Sequence, residues 1–172
     1  LFCASVAARR GKQVLVLDHA TTIGEKIRIS GGGRCNFTNL QTTPSHFLSL
    51  NPHFVKSALA RYTPQHFINL VRQHGIAFHE KHRGQLFCDE SATQIVTMLL
   101  TECQQSGAQL RHPVTIENIQ FNDVWTMRTS QGVEKAHALV IATGGLPVPA
   151  IGATDFAMRL RSEEHTSEFQ SH

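Results

Sequence analysis

Ten consecutive residues carry most of the chemical information in this chain: Ser30, Gly31, Gly32, Gly33, Arg34, Cys35, Asn36, Phe37, Thr38 and Asn39. Three adjacent glycines cost backbone entropy, so a folded chain keeps them where geometry demands them. Lacking Cβ atoms, they let backbone N–H groups come close to a ligand. Arg34 adds a permanent cation, and Ser30, Asn36, Thr38 and Asn39 add hydrogen-bonding groups. The pattern reads as a ligand loop rather than a linker. Asp18 closes the apolar run Val14, Leu15, Val16, Leu17. A carboxylate at the end of such a strand can accept hydrogen bonds from adenosine ribose hydroxyls. Thr143, Gly144 and Gly145 follow a second apolar run, 138–142. Ligands of open α/β sheets sit beyond the carboxyl ends of the strands, and glycines there permit close approach.

Other chemical groups are less informative. Cys35 invites a redox reading, but no second cysteine lies near it in sequence. Cys3, Cys35, Cys88 and Cys103 form no CxxC pair and no zinc spacing, which fits four reduced thiols in a cytoplasmic protein. His79 and His82 lack a clear third ligand and read as surface residues, so no metal site is expected. No spacing singles out a catalytic acid or base.

The elements that must position these groups follow from the pattern. Residues 1–10 read as helix with Gly11 as its stop, followed by the strand 14–17 and Asp18. This is the second half of a dinucleotide-binding βαβ unit, whose first strand and GxGxxG turn are expected just ahead of Leu1. Residues 20–43 show little apolar periodicity. Helices are expected from Asn51-Pro52 and from Thr63-Pro64, the latter stopped by Gly75. A hairpin is expected over 76–87 around Arg83-Gly84, then a helix capped by Ser91 and ended by Gly107. The period then shifts toward two, predicting strands at 109–111, 115–121, 124–129 and 133–138. The wholly apolar run 138–142 suits a central parallel strand covered on both faces. The polar run 161–172 resembles a translated sequencing adapter and is set aside as a non-native tail.

The 172 residues carry a formal charge of +3, and 41% of them are hydrophobic, enough for one domain. Without a basic run or aromatics interleaved with Arg and Lys, the composition argues against a nucleic-acid partner. Without an apolar stretch of about 18 residues, it argues against a membrane span. No signal peptide is visible, and a cytoplasmic location is expected.

The stretch GEKIRISGGGRCNFTN is similar to the signature of the YhiN/BaiN-like flavoprotein family. The similarity continues through HFVKSALARYTPQHF, GQLFCDESA and VIATGGLPVPAIGATDFA, to about residue 160. The resemblance implies an α/β fold, the glutathione-reductase-type FAD-binding Rossmann fold, with a helical insertion and a three-stranded β-meander. Residues 1–160 would then be a partial FAD-binding domain, truncated at both ends: the first strand, the GxGxxG turn, the insert domain and the C-terminal return are missing. By the same resemblance, Asp18 lies on the adenosine side of FAD. Lys26 and the run Ser30 to Asn39 form the loop near the cofactor, and Thr143, Gly144 and Gly145 form the strand-end turn. The parent protein is expected to be an FAD-dependent oxidoreductase acting on a small organic molecule, with NAD(P)H as an electron partner. The residues alone leave open a Rossmann enzyme that uses only NAD(P) or S-adenosylmethionine, or a flavin-binding module without turnover.

Overall fold

The structure is a computed structural model and describes residues 1–144. The chain divides into two compact units. The first comprises 1–16 and 24–109; the second comprises 17–23 and the chain from 110 onward.

In the first unit, helix α1 (Phe2–Arg9) ends where sequence placed its stop. Gly11 takes φ +77°, and the Gly11 and Lys12 N–H groups bond back to Ala8 and Ala7. Strand β1 (Leu15–Leu17) follows. The stretch expected to be irregular is instead built from short elements: helix α2 (Glu25–Ile29), a left-handed glycine turn, and strand β2 (Asn36–Asn39). Periodicity missed them because each is five residues or shorter, less than two turns of amphipathic pattern.

Helix α3 (Lys56–Arg61) begins several residues later than Asn51-Pro52 suggested. Local side chains explain the delay. Ser49 Oγ accepts from the Asn51 N–H, and Asn51 Oδ1 accepts from the His53 N–H, so turns compete with the helix there. Helix α4 (Pro64–Gln73) starts as expected, with Thr63 and His66 forming a reciprocal cap. The expected hairpin is present as β3 (Phe78–Glu80) and β4 (Gln85–Cys88). β2 adds to its other side, giving an antiparallel sheet of order β2-β4-β3.

Helix α5 (Thr93–Ser106) is the spine of this unit. Ser91 Oγ accepts from the Thr93 N–H, and Gly107 stops the helix at φ +81°. Ile95, Met98 and Leu99 join Val71, Ile76, Cys35 and Cys88 in one apolar cluster. Small residues on α1, Ala4 and Ser5, are buried as well. A charged residue is buried too: Glu102, 5% exposed, bonded to Arg9 and to His74 Nε2 at 2.8 Å. Burial pulls its carboxyl up, but the His74 and Arg9 bonds and charges together outweigh that and hold it below the ordinary carboxylate range.

β5 (Gln109–Arg111) pairs with β1. The Gln109 N–H bonds Val14 O at one end and the Asp18 N–H bonds Arg111 O at the other, so both strands advance together in the parallel sense. The second unit holds the expected meander: β6 (Ile116–Asn122), β7 (Val124–Thr129) and β8 (Gly132–Ala136), antiparallel in sequential order. Asp123, at φ +61°, turns the first corner.

The apolar run 138–142 departs from expectation. It forms no strand, and Val140 and Ile141 are 65% and 40% exposed. Composition makes a strand possible, but a ladder neighbour makes it real. Among the described residues no strand pairs with this run.

Candidate functional site

The glycine loop is built by its neighbours. Gly24, at φ +78°, opens α2; a Cβ there would meet Val96 at 2.8 Å, so glycine lets α2 lie against α5. Ser30 Oγ donates to Ile27 O at 2.7 Å and ends the helix. Gly31, Gly32 and Gly33 then all take positive φ, at 58°, 67° and 84°. The Cys35 N–H bonds back to Ser30 O at 3.0 Å and closes the loop. The carbonyls of Gly33 and Arg34 accept from the N–H groups of Ala92 and Cys88, tying the loop to the start of α5 and to β4.

The three glycines are not equivalent. A Cβ on Gly31 would lie 2.7 Å from the Phe87 ring and 2.8 Å from Asn36 N. Gly31 is therefore required for packing. A Cβ on Gly32 would meet nothing within 4 Å, so its outer face is open. Beside the loop is a pocket of about 300 Å³. Ile27, Phe37, Phe67, Ile95 and Leu99 give it apolar walls, and Lys26, Ser30, Cys35 and Asn36 supply its polar atoms. An open glycine face and an apolar pocket with a few polar groups in its lining could hold a planar, phosphate-bearing cofactor.

The first unit thus brings together Lys26, Ser30, the glycines, Arg34, Cys35 and Asn36. Arg34 is exposed, and its guanidinium donates to the Asp89 main-chain oxygen. Thr38 lies further along β2, and Asn39 ends that strand. The Asn39 amide is committed elsewhere: Nδ2 donates to Arg83 O at 2.9 Å, and Oδ1 accepts from the Gln41 N–H at 2.8 Å.

Asp18, Thr143 and Gly144 belong to the second unit. Asp18 follows β1, and its Oδ1 accepts from the Ala20 N–H at 2.9 Å. That turn fixes the carboxylate, which remains about a third exposed. Thr143 and Gly144 are exposed and extend from no strand, for the reason given for 138–142. Gly145 lies outside the described residues.

Two pairings were invisible in the sequence. Cys88, at the end of β4, stands beside Arg34 and Cys35 just ahead of β2, its N–H on Arg34 O at 2.9 Å, and both thiols are buried. Burial pushes the Cys35 thiol up, partly offset by a Ser30 bond. Burial, then the neighbouring Cys35 and Asp89, pushes Cys88 up to about 11. Protonated, buried thiols suit packing rather than nucleophilic chemistry. His79, considered with His82, instead pairs with Asp89, Nδ1 to Oδ1 at 2.6 Å. Such pairs are unreadable in sequence, because the register of β3 and β4 brings them together. Among the described residues no three His, Cys, Asp or Glu side chains could hold a metal ion. Among the same residues no helix is long and apolar enough to cross a membrane.

Residues 1–168 match the family model described as HI0933-like protein Rossmann domain. The chain belongs to the HI0933-like Rossmann family. Its fold is accordingly Rossmann-like α/β with an added antiparallel meander. Among curated relatives, the ribosomal RNA dihydrouridine synthase of Haemophilus influenzae is 51% identical over 95% of this chain and 42% of its own length. The protein of the same name from Escherichia coli is 46% identical over 95% of this chain and 41% of its own. A 3-dehydro-bile acid delta(4,6)-reductase of Clostridium scindens is 24% identical over similar shares. The chain therefore spans about two fifths of the curated relatives it matches. Among solved structures, the amino acid oxidase NikD in its open form shows a loose likeness, at 16% identity and a TM-score of 0.45 over 81% of this chain and 47% of that one.

Proposed function

We propose that this chain is the cofactor-side part of an FAD-dependent enzyme that reduces uridine in ribosomal RNA to dihydrouridine. The observation that carries the proposal is the 51% identity, over 95% of the chain, to a protein named for that activity. The relative named for bile-acid reduction stands at 24%, less than half of that.

Reduction of the uracil C5–C6 double bond adds a hydride at C6, conjugated to the C4 carbonyl, and a proton at C5. Reduced FAD supplies the hydride when bound. The chain's own residues would bind and orient. Gly32 leaves its face open for a ligand, while Gly31 locks the turn against Phe87. Lys26 and Arg34 offer positive charge to phosphate or to a reduced, anionic ring. Phe37 and Phe67 line the pocket with apolar surface on which a ring can pack. Asp18, held by its own turn, is the acceptor for ribose hydroxyls in this proposal. NAD(P)H is taken as the source of electrons, and a ribosomal substrate implies the cytoplasm.

The proposal replaces the expectation of a small-molecule substrate without nucleic acid. A charge of +3 averaged over 172 residues hides any local cluster. The test is genetic and chemical together. Deleting the gene for the full-length protein should remove a dihydrouridine from ribosomal RNA, seen by mass spectrometry as the loss of a 2 Da increment, and the purified protein should release FAD on denaturation. Unaltered ribosomal RNA in the deletion strain overturns the substrate; a protein that binds no FAD overturns the cofactor.

A further inference from the structure

The β3–β4 hairpin has a fixed backbone and two exposed cations, Lys81 and Arg83, without carboxylate partners among the described residues. Arg83 and Gly84 turn the corner at φ +52° and +75°. Arg83 O accepts from Asn39 Nδ2, Gly84 O accepts from the Leu40 N–H at 2.8 Å, and the Gly84 N–H is held by Glu80 Oε1. A Cβ on Gly84 would lie 2.8 Å from Asn39 Oδ1, so the tip sits directly on the end of β2. Yet Lys81, His82 and Arg83 are all exposed. Among the described residues no carboxylate pairs with any of them. The nearby acids are engaged: Glu80 with the Gly84 N–H, Asp89 with His79, and Glu90 with Gln94. The Lys81 ammonium lies over the Phe87 ring at 5.4 Å from its centroid, and that same ring backs Gly31. Positive charge thus runs from the hairpin tip toward the glycine loop.

We propose that this hairpin tip receives phosphodiester oxygens of an RNA strand, through Lys81 and Arg83, and leads that strand to the glycine loop. The inference rests on the proposed ribosomal RNA substrate and names the surface that would hold it. The fixed backbone matters because a turn that is already ordered loses less freedom on binding a phosphate. Each single-strand phosphate contact contributes about 0.7 to the slope of log K against log salt. Two contacts therefore contribute about 1.4, equivalent to roughly tenfold in affinity at 0.15 M salt.

The experiment uses the full-length protein and a ribosomal RNA fragment containing the modified uridine, with binding followed by fluorescence anisotropy across a salt series. The variant Lys81→Ala/Arg83→Ala should bind about tenfold more weakly at 0.15 M salt, with a slope shallower by about 1.4. Its FAD content should match the unmodified protein and its melting temperature should fall by no more than a few degrees, since among the described residues Arg83 makes no side-chain ion pair and Lys81 gives up only an exposed contact over the Phe87 ring. Unchanged affinity and slope in a variant that folds and holds FAD would overturn the hairpin assignment while leaving the substrate intact. An equal loss in Arg10→Ala, an exposed cation outside the hairpin, would overturn it too, as nonspecific attraction. Failure of the unmodified protein to bind the RNA overturns the substrate reading itself and this inference with it.

Discussion

Replacing Gly31 and Gly32 separately with alanine distinguishes a glycine needed for packing from one that faces a ligand. Both sit at positive φ, 58° and 67°, where an L side chain costs roughly 1–2 kcal/mol. Gly32→Ala should cost only that, because its Cβ meets nothing within 4 Å. Gly31→Ala carries a second penalty. Its Cβ would lie 2.7 Å from a Phe87 ring carbon and 2.8 Å from the Asn36 backbone nitrogen. Phe87 is 8% exposed, so its ring has little room to retreat, and the backbone of β2 has less. Overpacking of this kind adds about 1–3 kcal/mol, giving a total near 2–5 kcal/mol for Gly31→Ala. Urea unfolding of the full-length protein, with and without added FAD, measures both. Gly32→Ala should remain folded and lose FAD affinity, whereas Gly31→Ala should lose stability even without FAD. Equal losses of stability in the two variants would refute the packing argument. Undiminished FAD affinity in a folded Gly32→Ala protein would refute the ligand-facing role of the loop.

Three further outcomes follow from the packing of the first unit. Glu102→Gln should lower stability by about 1–3 kcal/mol, below the cost of breaking a fully buried pair, because Arg9 is half exposed and can turn to water. Because the folded carboxyl lies below its unfolded value of about 4.3, its contribution is present above that pH and lost as pH falls through the folded value. Acid titrations of stability should therefore flatten below about pH 4.3 in Glu102→Gln, and an unchanged acid limb would count against the triad. Thr63→Ala removes the hydroxyl partner of His66 at the start of α4 and should cost about 1 kcal/mol in urea unfolding; a change within error would show that Pro64 alone sets the helix start. At neutral pH a thiol reagent should modify exposed Cys3 within minutes and reach Cys88 only on unfolding; fast labelling of Cys88 in the folded protein would contradict its burial.

Sequence by itself determined the features whose causes are local. Gly11, Gly75 and Gly107 stop three helices because only glycine enters the left-handed region at low cost, and that preference is written in one residue. The meander was legible because each of its strands is long enough to alternate and each corner has turn residues. The glycine turn at 31–33 was legible as a special backbone site because three adjacent glycines have few uses besides positive φ or close approach. Tertiary structure alone decided the rest, since each such feature depends on a partner distant in the chain. Which glycine packs and which stays open depends on Phe87, and the use of Asn39 depends on the hairpin turn 44 residues away. The neighbour of Cys35 depends on the β2–β4 register. The run 138–142 shows the same rule from the other side: its composition permits a buried strand, and only a neighbouring strand supplies the hydrogen bonds that make one.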